Sequence, residues 1–300
     1  RLKTGTSPRI DRGSIAFDRL QAQPGDAIPR PFSFFTDRIL LPQVSCHITF
    51  TTPETETLVR ENLHRSSMYG GHVEGVGPRY CPSIEDKFVK FPDHDRHQIF
   101  VEPESLETEE IYLSGLSTSM PLDVQERMVR SLPGFEGADI LRPGYAIEYD
   151  SFDPLQLRQD LSVEALGGVW FAGQINGTTG YEEAAGQGLL AGINAARWLK
   201  DQAPVVLGRD EAYLGVMIDD LVSKGTDEPY RMLTARAEHR LGLACDVADA
   251  RLLHRAREVG ALSPEALARI EGKLARRGRL RAQCEEAWAT RTSGFGPVAE

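Results

Sequence analysis

Cys81 is the strongest candidate nucleophile in this sequence. It lies two positions after Arg79 and six before Lys87, and positive neighbours lower the pKa of a thiol and favour the reactive thiolate. A thiolate of this kind could attack C6 of a uracil ring and make C5 nucleophilic. Ser83 and Glu85 could then position a substrate or move protons. The alternative is an inert, small apolar residue in a loop, and the residues alone favour that interpretation.

A glycine-rich segment, 169–196, is the strongest local pattern. Residues 169–173 predict a buried strand, which leads through a loop containing Gly173, Gly177 and Gly180 into a helix of small residues. Glycines allow tight turns, and a helix N-terminus offers free N–H groups to a phosphate or an electron-rich ring. An equally good alternative is a turn that feeds a packed helix and binds nothing. The usual GxGxxG fingerprint, with an acidic residue about 20 positions later, is absent from the sequence.

Two groups of basic residues could contact nucleic-acid phosphates, which bind to Lys and Arg. They are Arg231, Arg236 and Arg240, and, further on, Lys273, Arg276, Arg277, Arg279 and Arg281. The alternative for the first group is pairing with nearby acids, and for the second a solvated helix face.

The composition limits the class of protein. The 300 residues are 41% hydrophobic, as in an ordinary globular protein, and the formal net charge of −10 argues against nucleic-acid binding by the chain as a whole. A local basic surface is still compatible with that charge. No apolar run approaches the roughly 18 residues of a membrane span, and no signal peptide is visible. The four cysteines form no CxxC pair and the histidines lack ligand spacing, so we expect no metal site and a reducing compartment.

Hydrophobic periodicity predicts a mixed α/β region followed by an all-helical one. Strands are predicted at 44–51, 98–102, 110–114, 145–149 and 169–173, and helices at 55–63, 121–132, 184–196, 213–221, 248–259 and 264–287. Thr55 is the predicted cap of the first helix. Because strand signals end near residue 205, we expect the boundary between the mixed α/β region and the all-helical region at 205–210.

Two long stretches, 77–91 and 172–195, together resemble the signatures of the family usually called GidA or MnmG. The first contains Gly-Pro-Arg-Tyr-Cys-Pro-Ser-Ile-Glu-Asp-Lys, and the second Ala-Gly-Gln-Ile-Asn-Gly-Thr-Thr-Gly-Tyr-Glu-Glu. Shorter matches lie at 1–9, 142–149 and 228–232, and the likeness weakens after about residue 260. Patterns of this length in this order are far more specific than a lone glycine motif. One departure is Phe88, where the family pattern has an aliphatic residue.

The resemblance implies an α/β FAD/NAD-binding portion, similar to glutathione reductase, with an inserted NADH-binding region and a following α-helical domain. The corresponding ranges are 1–116 for the inserted nicotinamide-binding region, 117–206 for the returning part of the FAD-binding domain, and 207–300 for the start of a helical domain that meets tRNA and a partner.

The activity that the resemblance implies is modification of the wobble uridine of tRNA at C5. Such enzymes use FAD, NADH and 5,10-methylenetetrahydrofolate, work with a GTPase of the MnmE or TrmE type, and install a carboxymethylaminomethyl or aminomethyl group. Glycine and ammonium are both open as the amino donor. A homodimer is implied, in the cytoplasm or, in a eukaryote, in mitochondria.

The resemblance also assigns roles by position. The expected catalytic residues are Cys81, Glu85 and Lys87. The expected cofactor-binding residues are Gly77, Pro78, Arg79, Tyr80 and Ser83 for the nicotinamide, and Gly173, Gln174, Asn176, Gly177 and Gly180 for FAD. Arg231, Arg236, Arg240, Lys273, Arg276 and Arg277 are the expected RNA-binding residues.

Two alternatives remain beside this interpretation. One is the related folate- and FAD-dependent tRNA uracil-5-methyltransferase, and the other is a non-catalytic protein that binds RNA or a partner. The family's FAD fingerprint and its second catalytic cysteine are not found in these residues. We therefore expect an internal fragment of a longer protein, inactive alone and with weak affinity for FAD.

Overall fold

The computed structural model describes residues 1–77 and 82–292, with side chains to residue 289. The chain divides into two compact units. The first consists of 1–30, 39–206 and 217–233, and the second of 31–38, 207–216 and the described residues from 234 onward.

The described strands are short. They are β1 (Leu2–Gly5), β2 (Arg9–Asp11), β3 (Gln21–Gln23), β4 (Cys46–Phe50), β5 (Gln98–Pro103), β6 (Glu110–Ser114), β7 (Ile140–Arg142) and β8 (Ala146–Tyr149). Six of them form one sheet in the order β3-β4-β5-β6-β2-β7, and β1 pairs with β8 in a separate two-stranded sheet.

Every pairing between these strands is antiparallel. The strands predicted at 44–51, 98–102, 110–114 and 145–149 are therefore confirmed, and the described residues form a mixed α/β structure. Parallel strands are typical of dinucleotide-binding domains. The nicotinamide-binding role of residues 1–116 accordingly stays a prediction.

The described helices are α1 (Pro53–Asn62), α2 (Ile84–Lys90), α3 (Leu122–Arg130), α4 (Tyr181–Trp198), α5 (Tyr213–Lys224), α6 (Ala248–Arg251), α7 (Leu253–Val259) and α8 (Pro264–Thr292). Thr52, rather than the predicted Thr55, caps α1. Its hydroxyl accepts from the Thr55 backbone N–H, and the Thr55 hydroxyl accepts from the Thr52 N–H. Pro53 explains the shift, because proline fits the first helical position, where no N–H is needed.

One face of the six-stranded sheet carries the main core. Side chains alternate across a strand, so Ile99 and Val101 of β5 and Ile111 and Leu113 of β6 point to the same side. They form one cluster with buried residues of the helices, namely Val59, Ile84, Phe88, Val124, Met128 and Val129. Phe88, where the family pattern has an aliphatic residue, is thus part of this core and affects its packing. The opposite face carries both apolar and polar side chains, among them Phe100, Glu102 and Tyr112.

The strand predicted at 169–173 is wrong. Within the described residues, Trp170 makes a single bridge to Ser162, and residues 169–172 are only half-buried. The indole N–H of Trp170 is buried and has no hydrogen-bond partner among the described residues. A β-branched and aromatic run becomes a strand only where another strand pairs with it, and the described chain offers none here.

The described residues of the second unit contain helices and no strand, as the periodicity predicts. The helix predicted at 248–259 is divided at Leu252 into α6 and α7, and α8 extends beyond its predicted end. None of the described helices is both long enough and apolar enough to cross a membrane.

Glu211 ties the segment 207–216 to α7 within this unit. Its two carboxylate oxygens accept from Nε and Nη2 of Arg255, at 2.9 and 3.0 Å, and one also accepts from the Gly208 N–H at 2.8 Å. The Arg255 guanidinium lowers the pKa of Glu211 to about 2. The charged form of Glu211 therefore stabilises the folded unit.

Replacing Glu211 with glutamine is expected to lower the free energy of unfolding by about 2 kcal/mol at neutral pH, because an amide cannot compensate the guanidinium. The folded-state pKa lies below the ordinary value of 4.5, so the stabilisation is complete above that pH and lost as the pH falls toward 2. The variant should lose less stability than the native chain across this range. Urea unfolding measures both effects. The control is Glu258→Gln, at a more exposed partner of Arg255, which should lower the free energy of unfolding by less than about 0.5 kcal/mol. Equal losses of stability in the two variants would contradict the role of Glu211.

Candidate functional site

A cavity of about 920 Å³ lies against the open face of the six-stranded sheet. Its wall consists of residues 2–7 and Arg9, then Glu102, Pro103, Glu104 and Tyr112, then Ile147 and Tyr149, and finally 172–174, 179–181 and Ala184. The strands β1 and β8, the sheet and the glycine-rich loop thus share the wall of one cavity. A volume of this size falls in the range of small-molecule and cofactor sites.

The glycine-rich loop has the backbone shape that the sequence predicts. Gly173 and Gly177 have φ values of 86° and 80°, in the left-handed region that favours glycine. A Cβ on Gly177 would lie 2.9 Å from the Thr226 hydroxyl. A Cβ on Gly180 would overlap the side chains of Glu183 and Arg231. The backbone conformation of the loop therefore favours glycine at 173 and 177, whereas at 180 a larger residue would displace the side chains of Glu183 and Arg231.

Gln187 of α4 holds this loop from inside. Its side chain is 0% exposed, and its Oε1 accepts from the Gly173 N–H at 3.1 Å and from Nδ2 of Asn176 at 2.8 Å. Its Nε2 donates to the Thr178 hydroxyl at 3.0 Å. One buried amide therefore fixes three residues of the loop. The role of Gln187 is not predicted by the sequence, because a polar residue between two glycines gives no periodic signal.

The predicted FAD-binding residues separate into two sets. Gly173, Gln174 and Gly180 lie on the cavity wall, whereas Asn176 and Gly177 do not. Asn176 is 1% exposed, and its Nδ2 also donates to the Phe171 carbonyl at 2.9 Å. Its amide therefore stabilises the loop conformation and does not face the cavity.

The segment 228–232 lies beside the same loop. The Tyr230 N–H donates to the Gly177 carbonyl at 2.8 Å, and the Tyr230 carbonyl accepts from the Thr179 N–H at 3.1 Å. Arg231, predicted to bind RNA, forms ion pairs of 3.5 Å with Glu182 and Glu183 at the start of α4. The segment 228–232 therefore has a structural role, which is to hold the glycine-rich loop in place.

The motif at 77–91 begins next to β1. The Lys3 N–H donates to the Val76 carbonyl at 3.1 Å, and the Val76 N–H donates to the Arg1 carbonyl at 3.1 Å. Gly77 follows directly, so the motif starts beside a strand that also lines the cavity. The predicted residues Pro78, Arg79, Tyr80 and Cys81 lie outside the described residues, and their roles stay predictions.

Downstream, this motif forms α2. The Ser83 hydroxyl accepts from the Asp86 N–H at 3.1 Å and so caps the helix. Lys87 donates to the Gly115 carbonyl at 2.7 Å. Ser83, Glu85 and Lys87 are absent from the cavity wall.

Glu85 is 0% exposed and lies at the centre of a polar cluster. Its Oε1 accepts from the Ser119 N–H at 2.8 Å, the Thr118 hydroxyl at 3.0 Å and the Ser66 hydroxyl at 3.3 Å. These bonds attach α2 to the segment 117–120. The carboxylate therefore orients the helix that follows Cys81.

Glu85→Gln is expected to lower the free energy of unfolding by about 1–3 kcal/mol, because the amide removes the charge that strengthens these hydrogen bonds. Thermal and urea unfolding measure this loss. Glu109→Gln, at an exposed position, should leave stability unchanged within about 0.5 kcal/mol. An E85Q protein of native stability would contradict the role in attaching α2.

The predicted RNA-binding residues of the second unit differ in their surroundings. Lys273 pairs with Asp249 at 2.6 Å and lies 4.8 Å from the Phe34 ring centre. The carbonyl of Arg236 accepts from Arg209. Arg240, Arg276 and Arg277 are exposed. Their contact with RNA stays a prediction. Across the described ranges, no group of three or more metal-ligating side chains occurs, and the cysteines among them, Cys46, Cys245 and Cys284, are free.

Together the fold and the site define a mixed α/β protein with a glycine-rich loop on the wall of a ligand-sized cavity. The particular family follows from comparison: the chain belongs to the GidA family, since the model of glucose inhibited division protein A matches residues 1–203.

Relatives and a solved structure agree with this assignment. The tRNA uridine 5-carboxymethylaminomethyl modification enzyme MnmG of Pelobacter propionicus is 54% identical over 98% of this chain. The enzyme of the same name from Geobacter sulfurreducens is 58% identical over 88% of it. Aquifex aeolicus GidA in its form I crystal matches 90% of this chain, with a TM-score of 0.83 and 52% identity. The chain spans only 46%, 42% and 46% of the lengths of these three proteins.

Proposed function

We propose that this chain is part of an FAD-dependent enzyme that modifies the wobble uridine of tRNA at C5. The enzyme would add a carboxymethylaminomethyl or aminomethyl group with NADH and 5,10-methylenetetrahydrofolate, together with an MnmE- or TrmE-type GTPase. The observation that carries the proposal is the glycine-rich loop on the cavity wall, in a chain 54% identical to a protein named for this modification.

The cavity has the chemistry that a flavin ring needs. Its loop side consists largely of backbone and small residues, with the exposed amide of Gln174 and the start of α4 beside it. Backbone N–H groups at a helix start suit an electron-rich ring or a phosphate. Flavin bound here would supply two-electron redox chemistry. The role of Gly173, Gln174 and Gly180 would be to bind and orient it, while Asn176, Gly177 and Gln187 keep the loop in shape.

Residues 117–206 are proposed as the returning part of an FAD-binding domain. Two observations support this. The run 169–172 has a single bridge within the described chain. In addition, Tyr181, Gly188 and Gly192 are all exposed and recur at helical spacing, so they share one face of α4, which the exposed Leu199 continues just after the helix. The remaining length of the relatives is long enough to supply further strands against this face.

The motif at 77–87 is proposed to bring the nicotinamide and the nucleophile to the reaction. Gly77, Pro78, Arg79, Tyr80 and Ser83 would contact the nicotinamide, with Cys81 as nucleophile and Glu85 and Lys87 in the catalytic machinery. The motif starts beside β1, and residues of β1 line the cavity. This position supports a role of the motif near the ligand bound in that cavity.

Residues 207–300, as the start of a helical domain, are proposed to contact tRNA and the GTPase. Exposed Arg240, Arg276 and Arg277 support an RNA-facing surface, since phosphate contacts need accessible cations. A homodimer in the cytoplasm completes the proposal.

Reconstitution tests the proposal. The gene product containing these residues would be incubated with unmodified tRNA, the GTPase partner with GTP, NADH, methylenetetrahydrofolate and either glycine or ammonium, and the tRNA nucleosides analysed by mass spectrometry. We expect the modified wobble uridine only when every component is present. Formation of 5-methyluridine instead would identify the chain as a methyltransferase, and no product with flavin-loaded protein would exclude both activities.

A further inference from the structure

A smaller cavity, of about 360 Å³, lies at one end of the six-stranded sheet, on the face that carries the main core. Ala22 of β3 and His47 of β4 line it and are paired with each other, and His47 is also paired with Val101 of β5, a member of the core cluster. Cross-strand partners point to the same side of a sheet. Among the described residues, the walls of the smaller and the larger cavity share only Pro103, so the two cavities are separate.

Most of the wall of the smaller cavity is apolar. Ile111 is 1% exposed and Phe17 packs against the core, whereas Val44 and Leu106 are 51% and 50% exposed. The described residues therefore cover the apolar surface at this end of the core only in part. Removing such surface from water is favourable, so the wall suits a ligand with an apolar body. The volume lies at the lower end of the range of small-molecule sites.

The cation of this cavity lies beside its aromatic wall. Arg12 directly follows β2, and its backbone N–H donates to the Glu109 carbonyl at 2.8 Å, which fixes the position of the residue. Its guanidinium carbon lies 5.8 Å from the Phe17 ring centre. The Phe17 ring in turn lies edge-on to the ring of His47, with 4.9 Å between the two centres. A charged group and two aromatic rings thus adjoin one another on the same wall.

The polar side chains of the wall are Arg12, Ser45 and His47, and none of them has a hydrogen-bond or ion-pair partner among the described residues. A guanidinium has N–H donors and no acceptor, and a hydroxyl and an imidazole can each donate. The described wall also contains no carboxylate, whereas that of the larger cavity contains Glu102 and Glu104. Donors and a positive charge without an acid favour an anionic ligand.

We propose that this cavity binds a small carboxylate with a flat, apolar body. Arg12 would bind the carboxylate through its guanidinium, which matches the two oxygens of such a group. The body would lie against Phe17, His47 and Leu106, where aromatic rings and apolar surface are available. The inference concerns a site apart from the proposed flavin site and does not rest on the proposed function.

Calorimetric titration with 2-naphthoate tests the site, in the flavin-loaded gene product that contains this chain. We expect binding with a Kd below about 1 mM, in keeping with the size of the probe, and no release of flavin. 2-Naphthamide has the same body without the charge, and acetate has the charge without the body. Each of these should bind more weakly than 2-naphthoate by about tenfold or more.

Arg12→Gln should raise the Kd of 2-naphthoate by about tenfold or more and change that of 2-naphthamide by less than about twofold, because only the carboxylate uses the guanidinium. Stability should remain native, since the side chain has no partner to lose. Arg96→Gln is the matched control: Arg96 is exposed and also lies over a phenylalanine ring, 4.0 Å from the centre of Phe50, but is absent from this wall. Its Kd values should be native.

Ala22→Leu provides a second variant, which fills part of the cavity. Ala22 is exposed, so the longer side chain is compatible with the fold, and it should weaken the binding of both naphthalene probes.

Equal affinities of the native protein for 2-naphthoate and 2-naphthamide would overturn the inference, and so would a native Kd for 2-naphthoate in R12Q. Absence of 2-naphthoate binding to the native protein would also overturn it. Release of flavin by the probe would place the probe in the larger cavity and have the same consequence. All of these results would leave the proposed tRNA modification intact.

Discussion

Replacing Cys81 with serine is expected to abolish tRNA modification, with a loss of at least about 1,000-fold in turnover. A serine hydroxyl stays protonated near neutral pH, whereas a thiol between basic residues gives a fraction of thiolate. Flavin content and unfolding temperature should remain native, because the change only replaces one sulfur atom with oxygen. Nucleoside mass spectrometry of the reconstituted reaction measures the loss.

Cys284→Ser is the matched control for this prediction. Cys284 is a free, exposed cysteine of α8, so its replacement should leave turnover within about twofold of native. If Cys81→Ser also retains turnover, Cys81 is structural, and covalent attack at this loop must be abandoned even though the family assignment stands.

Gln187→Leu should reduce flavin occupancy more than tenfold and lower the free energy of unfolding by about 2–4 kcal/mol. Leucine leaves the Gly173 N–H without its buried partner. The Asn176 amide and the Thr178 hydroxyl each lose one hydrogen bond but keep their bonds to the Phe171 and Gly173 carbonyls. An unpaired buried donor costs about 1–3 kcal/mol, and each lost hydrogen bond about 1 kcal/mol more, offset in part by relaxation of the loop. Flavin absorbance per protein and urea unfolding measure the two effects.

The control for this variant is Gln156→Leu. Gln156 is exposed and its amide donates only to the Asp153 carbonyl, at 3.2 Å. Its replacement should change neither flavin content nor stability by more than experimental scatter. A Q187L protein that is destabilised but fully flavin-loaded would show that the loop is not the flavin site.

Long periodic elements could be predicted from the sequence because their signal is local. Strands β4, β5, β6 and β8 and the helices α1, α3 and α4 all lie where alternation or helical spacing indicates. The short strands β2, β3 and β7 were not predicted. Each has three residues and exists only because a neighbour pairs with it, and no pattern within three residues carries that information.

The incorrect prediction of a strand at 169–173 also comes from strand pairing, which in this case is absent from the described chain except for one bridge. Val169 and Trp170 have strong β propensity, but the described chain supplies no strand to pair with them beyond one bridge. Propensity therefore indicates what a segment can form, and the neighbouring chain decides whether it forms.

The candidate site could be predicted in part. The conformations of Gly173 and Gly177 follow from their residue type, and both adopt the left-handed region. The contribution of Gln187, and the pairing of Arg231 with Glu182 and Glu183, join positions far apart in the chain. The sequence left Arg231 open between an RNA contact and pairing with nearby acids. In the structure Arg231 pairs with Glu182 and Glu183, and its contact with RNA stays a prediction.

The most direct test of the central claim is nucleoside mass spectrometry of tRNA from bacterial cells that lack their own MnmG gene. The cells would carry the gene that contains this chain, and an empty vector would provide the baseline. We expect the gene to restore the aminomethyl-type group at C5 of the wobble uridine. Persistence of the unmodified uridine, in cells that accumulate folded and flavin-loaded protein, would contradict it.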